Sequence, residues 1–167
     1  VHKGEVVSAY VGDINTEEVY GYRPDSDNVH RITRLDTAER MALGNGRSFA
    51  ESYALLRDPV HTYSQSAQSL ISRFRGYEVI GSSIGIWAAQ LWKGEVGALF
   101  LNPGMETPWD TTPVVGISKK LGCAFLRHDS ARWAGWVEYQ PRICTQKYRR
   151  EHETIITHRS HFPEFGL

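Results

Sequence analysis

The chain has 167 residues, of which 41% are hydrophobic and 23% are charged, and its 19 basic and 19 acidic residues balance when histidine is neutral. This length suffices to bury a core without disulfides, and the composition excludes the disordered and fibrous classes. The balanced charge gives no sign of a nucleic-acid partner, and no apolar run reaches the roughly 20 residues that cross a bilayer.

The first part of the chain predicts two strands and three helices. Apolar stretches at 5–12 and 29–35 predict the strands. Two pairs of residues with capping-box spacing predict helices at 37–43 and 49–57. At 62–75, apolar residues recur with helical spacing and predict an amphipathic helix.

The remaining chain predicts strands that alternate with helices. The strands are predicted at 77–81, 96–102, 123–129 and 153–157. The helices are predicted at 84–94, 113–122 and 131–139. Alternation of this kind, with strands that are apolar throughout, is typical of a parallel sheet covered on both faces. The sequence therefore predicts a single domain over 1–167, an α/β fold built as a three-layer α/β/α sandwich with a mostly parallel sheet.

A serine between two glycines stands where the strand at 77–81 gives way to a helix. Gly81, Ser83 and Gly85 match the G-x-S-x-G pattern, in which small neighbours allow a sharp turn that exposes the serine hydroxyl. The pattern predicts Ser83 as a nucleophile. It also predicts that the following N–H, that of Ile84, stabilises an oxyanion.

A nucleophilic serine needs a base, and the base needs an acid that orients it. Asp129 follows the strand at 123–129, and His161 follows the strand at 153–157, so both would stand on loops after later strands. These two residues are the predicted acid and base. Asp110 is a rival acid, and His158 and His128 are rival bases.

The stretch 77–104, with its Gly-Ser-Ser-Ile-Gly turn and its Leu-Asn-Pro-Gly strand end, resembles the α/β-hydrolase superfamily, especially its small capless bacterial esterases. The resemblance implies an α/β-hydrolase-like domain and a serine hydrolase that acts on a small or exposed ester or thioester through Ser83, His161 and Asp129. The family carries a histidine after its first strand, and this chain has Val-Gly-Asp-Ile-Asn there. Gly12 would allow the N–H of Asp13 or Ile14 to complete the oxyanion hole.

Further expectations concern ligands and surroundings. Gly12, Ser82 and Trp109 are predicted to contact substrate, which would be a small acyl compound. No metal or other cofactor, nucleic acid or membrane partner is expected. Cys123 and Cys144 form no C-x-x-C pair, which favours a reducing, cytoplasmic location; the oligomeric state is left open.

Two other functions remain open at this point. One is a non-catalytic binding or structural protein on a diverged hydrolase-like fold. The other is a histidine-dependent phosphoesterase or nuclease that uses the segment 146–161, which mixes lysine, arginine, tyrosine and three histidines. The spacing of these histidines matches no zinc template.

Overall fold

The computed structural model describes residues 1–34, 36–42, 46–129 and 135–167. The strands in these ranges are β1 (Ala9–Asp13), β2 (Glu18–Tyr22), β3 (His30–Thr33), β4 (Thr37–Arg40), β5 (Tyr53–Leu56), β6 (Gly76–Val79), β7 (Val96–Leu101), β8 (Gly104–Glu106), β9 (Cys123–His128), β10 (Trp136–Tyr139), β11 (Tyr148–Arg150) and β12 (Thr154–His158). The α-helices are α1 (Gln65–Ile71), α2 (Ile84–Trp92), α3 (Pro108–Lys120) and α4 (Phe162–Phe165). Short 3₁₀ turns occupy Phe49–Glu51, Val60–Thr62 and Arg159–His161.

The first four strands form an antiparallel meander in the order β1-β2-β3-β4. Alternate residues of β2 point to one face, where Tyr20 and Tyr22 are almost completely buried. This face belongs to the same core cluster as Trp87, Trp92 and Val115 from α2 and α3. The meander therefore covers the two helices on the side away from the larger sheet.

The larger sheet has six strands in the order β10-β9-β12-β7-β5-β6. β5 pairs in parallel with both β6 and β7. β12 runs antiparallel between β7 and β9, and β10 runs antiparallel to β9. Consequently β5, β6, β7 and β9 end at one edge of the sheet, and β12 and β10 end at the opposite edge.

Both faces of the sheet are buried along its inner strands β5, β7, β9 and β12, whereas the edge strand β6 is mostly exposed. Leu55, Leu99 and Ile156 face α2 and α3, whereas Leu56 and Phe100 face the side of α1 and α4. Neighbouring residues of one strand thus belong to two different core clusters, as the alternation of a pleated strand requires. This two-sided burial explains why these strands read as continuous apolar runs in the sequence.

A third ladder lies beyond the carboxyl end of β7. β8 pairs antiparallel with β11, and the register places Glu106 opposite Tyr148 and Gly104 opposite Arg150. α3 begins only two residues after β8, at Pro108. The short ladder therefore fixes where the first turn of α3 starts.

The predicted α/β class is confirmed, but the mostly parallel three-layer sandwich is not. Among the described strands of the six-stranded sheet, only two of five neighbouring pairs are parallel. The helices predicted at 37–43 and 131–139 are wrong in their described parts, which form β4 and β10; residues 43 and 131–134 lie outside the described ranges.

The helix predicted at 49–57 is also wrong, although its start signal is real. Ser48 and Glu51 do form a capping box, with the Ser48 N–H donating to Glu51 Oε2 at 2.9 Å. The turn lasts three residues, because Tyr53–Leu56 enters the centre of the sheet as β5. A short apolar run fits a buried strand and a buried helix equally well, and here burial on both faces decides for the strand.

None of the described helices combines the length and apolar character that a bilayer crossing requires.

Candidate functional site

A cleft of about 360 Å³ opens at the carboxyl edge of the three parallel strands. In open α/β sheets, ligands bind outside the carboxyl ends of the strands, where loops and helix starts converge. The cleft is lined by Arg57, Ser82, Ser83, Ile84, Trp87, Leu101, Met105, Glu106, Thr107 and Asp110. These residues follow β5 or β6, end β7, lie in β8, or cap and begin α2 and α3.

The amino terminus of α2 forms one wall of the cleft. Ser83 is its N-cap and its Oγ accepts a hydrogen bond from the Gly85 N–H at 3.4 Å. The first N–H groups of a helix lack intrahelical acceptors and carry the positive end of the helix dipole. The first turn of α2 contains no acidic side chain, so this wall favours an anion.

The two glycines of the Gly-Ser-Ser-Ile-Gly turn have different environments. A Cβ on Gly85 would lie 2.9 Å from Cγ1 of Val11 in β1, whereas a Cβ on Gly81 would meet nothing within 4 Å. Gly85 thus allows the meander to pack against the start of α2. The pattern is explained by a helix cap and a close approach between strand and helix.

Arg57 supplies a cation to the cleft. Its backbone N–H donates both to Phe100 O and to the Tyr63 hydroxyl, each at 3.1 Å, so the main chain is fixed at the end of β5. A Cβ on Gly104 would lie 3.1 Å from the guanidinium Nη1, which places that group over β8. Across the described part of the chain, no carboxylate pairs with Arg57. An arginine of this kind can bind phosphate or carboxylate through two parallel hydrogen bonds.

Two carboxylates on the opposite wall differ in their surroundings. Glu106 is buried, and its oxygens accept from Arg150 Nε at 2.9 Å and Thr111 Oγ1 at 2.5 Å. Asp110 is exposed, and Oδ2 accepts from the Thr107 hydroxyl. No described residue bonds to Oδ1 of Asp110. Asp110 is therefore the carboxylate that is available to a ligand.

The structure does not bring the predicted triad together. Ser83 lies at the carboxyl edge, but His161 follows β12, which runs antiparallel and ends at the other edge. Nε2 of His161 donates to Arg47 O at 2.7 Å, and Nδ1 lies 2.9 Å from Thr157 Oγ1. His161 is buried, and the cavity that it lines, about 10 Å³, holds a single water at most.

The predicted acid is also distant from Ser83. Asp129 follows β9, which lies four strand positions from β6, or roughly 19 Å at the usual spacing of strands. Its N–H donates to Gly135 O at 2.6 Å. The triad of Ser83, His161 and Asp129 therefore cannot act as a unit.

The predicted oxyanion loop belongs to β1. Gly12 and Asp13 end this strand, and Oδ1 of Asp13 accepts from the Asn15 N–H at 2.9 Å, which caps the following turn. Ile14 is 91% exposed. Ile84 lines the cleft, but without a triad its N–H has no acyl oxyanion to stabilise.

The C-terminal segment that suggested a histidine phosphoesterase has structural roles. Arg150 is buried beneath the cleft, and His158 caps the turn Arg159–His161 by accepting from the Ser160 N–H at 3.1 Å. His152 packs edge-on against the ring of Tyr139. Within the described ranges, no group of three or more histidine, cysteine, aspartate or glutamate residues could hold a metal.

Sequence reasoning missed Arg57 and Glu106. Arg57 directly follows the buried run Ala54–Leu56, so recognising that run as a strand would have placed it at a strand end. Glu106 precedes Asp110 by four residues, but its partner Arg150 is far away in sequence. Trp109, which was predicted to contact substrate, is 66% exposed in the first turn of α3 beside Asp110.

No family model matches the sequence, and no curated protein matches it. The structure is similar to staphylococcal IMPase-II, with a TM-score of 0.67 at 12% identity, covering 98% of this chain and 56% of that one. It is also similar to an inositol monophosphatase family protein from Staphylococcus aureus MSSA476, with a TM-score of 0.53 at 14% identity over 89% and 54% of the two chains. The fold of this chain corresponds to about half the length of each of these two structures.

A third solved structure, an IMPase/NADP phosphatase complexed with Mg²⁺ and phosphate, has a TM-score of 0.51 at 14% identity and is covered over 52% of its length. These likenesses overturn the resemblance to the α/β-hydrolase superfamily and with it the serine esterase. The Gly-Ser-Ser-Ile-Gly turn misled because a serine between glycines can also cap a helix that follows a strand, as Ser83 does here. The chain spans about half the length of the structures that it matches.

Proposed function

We propose that the chain binds a phosphate monoester in the cleft and contributes to its magnesium-dependent hydrolysis. The observation that carries this proposal is the pairing, in one cleft, of an anion-favouring wall with an available carboxylate. The fold supports it, because the similar structures are phosphatases and one of them holds Mg²⁺ and phosphate. The contacts around each wall assign the residues to roles.

The wall formed by α2 would bind the phosphate group. Helix N-termini bind phosphate through their free N–H groups and dipole, and the hydroxyls of Ser82 and Ser83 are exposed beside them. Arg57 would add two charge-assisted hydrogen bonds to phosphate oxygens. In this arrangement Ser83 contacts the substrate and caps the helix, and it forms no covalent intermediate.

The opposite wall suits a magnesium ion that is shared with the substrate. Mg²⁺ is commonly held by one or two carboxylates together with substrate phosphate and several waters, rather than by a complete protein cage. Asp110 would hold the ion, and Glu106 lies behind it with both oxygens already bonded. Bound there, the metal would supply Lewis-acid polarisation of the phosphate and a more acidic water.

Two exposed apolar side chains would contact the alcohol part of the ester: Met105 in the lining of the cleft and Trp109 next to Asp110. Met105 is 55% exposed in β8 and Trp109 is 66% exposed at the start of α3. Both side chains would exclude water on one side of the substrate while Arg57 neutralises the charge on the other. Trp109 thereby keeps the role of substrate contact that the sequence predicted.

The test is hydrolysis of p-nitrophenyl phosphate with and without Mg²⁺, comparing Asp110→Asn with Asp27→Asn. Asp27 is a matched control because its exposed carboxylate pairs with Lys120 at 2.8 Å, away from the cleft. We expect Asp110→Asn to lower the rate roughly 100-fold, as when one group that stabilises transition-state charge is removed, and Asp27→Asn to have no effect.

Two results would contradict the proposal. Phosphate release that needs no divalent metal, or that is equally fast in Asp110→Asn, would exclude this metal role. Binding of inorganic phosphate without any hydrolysis would leave a binding protein and remove the catalytic part.

A further inference from the structure

Arg150 is a buried cation beneath the cleft, and its hydrogen bonds go to Glu106 and to backbone carbonyls, not to Asp110. Its side chain is 5% exposed and that of Glu106 is 7% exposed. A buried ion pair brings little net stability, because desolvation offsets the attraction. Its presence here needs another explanation.

The hydrogen bonds of Arg150 join segments that are separate in sequence. Nε donates to Glu106 Oε1 at 2.9 Å, Nη2 donates to Asn102 O at 2.9 Å, and Nη1 donates to Leu101 O at 3.4 Å. Nη1 also donates to His152 O. The planar guanidinium thus connects the carboxyl end of β7, the strand β8 and the chain that follows β11.

Glu106 extends this connection into α3. Its second oxygen, Oε2, accepts from Thr111 Oγ1 at 2.5 Å. Thr111 lies in the first turn of α3, directly after Asp110. A continuous chain of hydrogen bonds therefore runs from the end of β7 through Arg150 and Glu106 to Thr111, which directly follows Asp110.

We infer that Arg150, Glu106 and Thr111 are positioning residues that hold Asp110 in place opposite the amino terminus of α2. The inference rests on the proposed function, since it assigns to these residues the orientation of the metal-holding carboxylate. Residues behind a metal ligand orient it, and their loss reduces metal affinity or activity about 10- to 100-fold. Lysine cannot replace Arg150, because an ammonium lacks the planar set of donors that reaches four acceptors.

The decisive variant is Thr111→Val, which removes one hydroxyl and leaves the buried ion pair intact. Thr112→Val is the matched control, since it makes the same change one residue further along the helix. Two measurements apply to each variant: the Mg²⁺ concentration for half-maximal hydrolysis of p-nitrophenyl phosphate, and amide hydrogen exchange of residues 106–112.

We expect Thr111→Val to raise the half-maximal Mg²⁺ concentration about tenfold, with a smaller change in KM for the ester, and to speed exchange at 106–112. Thr112→Val should change neither. A role in stability alone would lower the melting temperature and leave the Mg²⁺ dependence unchanged.

Arg150→Lys and Arg149→Lys form a second pair. Arg149 is exposed and pairs with Glu151 at 3.5 Å, so its replacement should be silent. Arg150→Lys should raise the half-maximal Mg²⁺ concentration at least as much as Thr111→Val does. The circular dichroism spectrum of the variant should remain that of the parent protein.

The outcomes separate the two proposals. If the parent protein hydrolyses the ester and Thr111→Val matches Thr112→Val in both measurements, the positioning inference is wrong and the proposed function stands. If the parent protein neither hydrolyses the ester nor binds inorganic phosphate, the proposed function is wrong and the inference falls with it.

Discussion

The two edges of the six-stranded sheet carry polar groups of opposite character. At the carboxyl edge of β5, β6 and β7, Arg57 and Asp110 face a cleft, and neither side chain is fully bonded within the described structure. At the other edge, His161 is buried and both of its ring nitrogens have partners inside the protein. Polar groups that serve the fold are satisfied internally, so the contrast separates the binding edge from the structural one.

The largest effect is expected from replacing two of the three predicted triad residues, His161 and Ser83, in separate variants. His161→Ala should cost about 2–4 kcal/mol of unfolding free energy, because it removes the buried hydrogen bonds to Arg47 O and Thr157 Oγ1 and opens a cavity. Ser83→Ala should cost about 1 kcal/mol through the lost helix cap. Urea denaturation measures both.

Activity in the same two variants tests the contrast between the edges. A working triad would lose ~10⁴–10⁶ in turnover with either change. We expect His161→Ala to retain phosphate hydrolysis at temperatures where it is folded, and Ser83→Ala to lose about tenfold or less, in keeping with one neutral hydrogen bond to substrate. Loss of all activity in folded His161→Ala would show that the two edges are not separate.

The two glycines of the turn should respond differently to the same change. Gly85→Ala places a methyl group 2.9 Å from Val11 Cγ1, and overpacking of this kind costs about 1–3 kcal/mol. Gly81→Ala meets open space and should change stability by about 0.5 kcal/mol or less. Thermal unfolding of both variants, and of Gly85→Ala combined with Val11→Ala as a rescue, checks the close approach of β1 and α2. Equal stability of the two single variants would contradict it.

The smallest effect concerns pH at the structural edge. Burial, followed by the nearby charges of His161 and Arg159, lowers the pKa of His158 below its ordinary value of 6.5. The unfolded chain then binds a proton more readily than the folded one, so the stability contribution is present above pH 6.5 and is lost as the pH falls through the lowered value. Protonation would also remove Nδ1 as an acceptor for the Ser160 N–H.

Urea midpoints on either side of the ordinary histidine pKa, at about pH 7.5 and about pH 5.5, measure this effect. His158→Gln should reduce the drop in stability at the lower pH, and His61→Gln, which changes an exposed histidine, should not. An unchanged drop in His158→Gln would assign the pH dependence to other groups, such as His152, whose pKa burial also lowers.

Several elements were predictable because their signals are local. The helix α2 was predicted at 84–94, and the strands β7 and β9 were predicted from apolar runs bounded by glycine or polar residues. α3 was predicted to begin at Pro113, but it begins at Pro108, because proline at either position suits a first helical turn. Helical periodicity predicted α1 within 62–75, but the sequence pattern could not distinguish a short buried helix from β5.

The site was only partly predictable. Ser82, Ser83 and Trp109 were placed at a ligand site by the strand-to-helix turn and by the strand end that precedes α3, and these assignments remain proposals. Arg57 was missed because the run before it was interpreted as a helix. Glu106 was missed because its partner Arg150 is 44 residues away in sequence, and no local pattern shows a contact over such a distance.

The sequence by itself determined several of the buried strands, among them β7, β9 and β12, the position of α2, and that the chain is an α/β protein. Only the tertiary structure decided the direction of β12. The residues Thr154–Thr157 are buried on both faces and have the same apolar pattern whichever way the strand runs. Pairing with β7 and β9 makes it antiparallel, and this reversal moves His161 to the edge opposite Ser83. The chemistry of the chain therefore depends on strand pairing, which involves residues far apart in sequence and leaves no local signal.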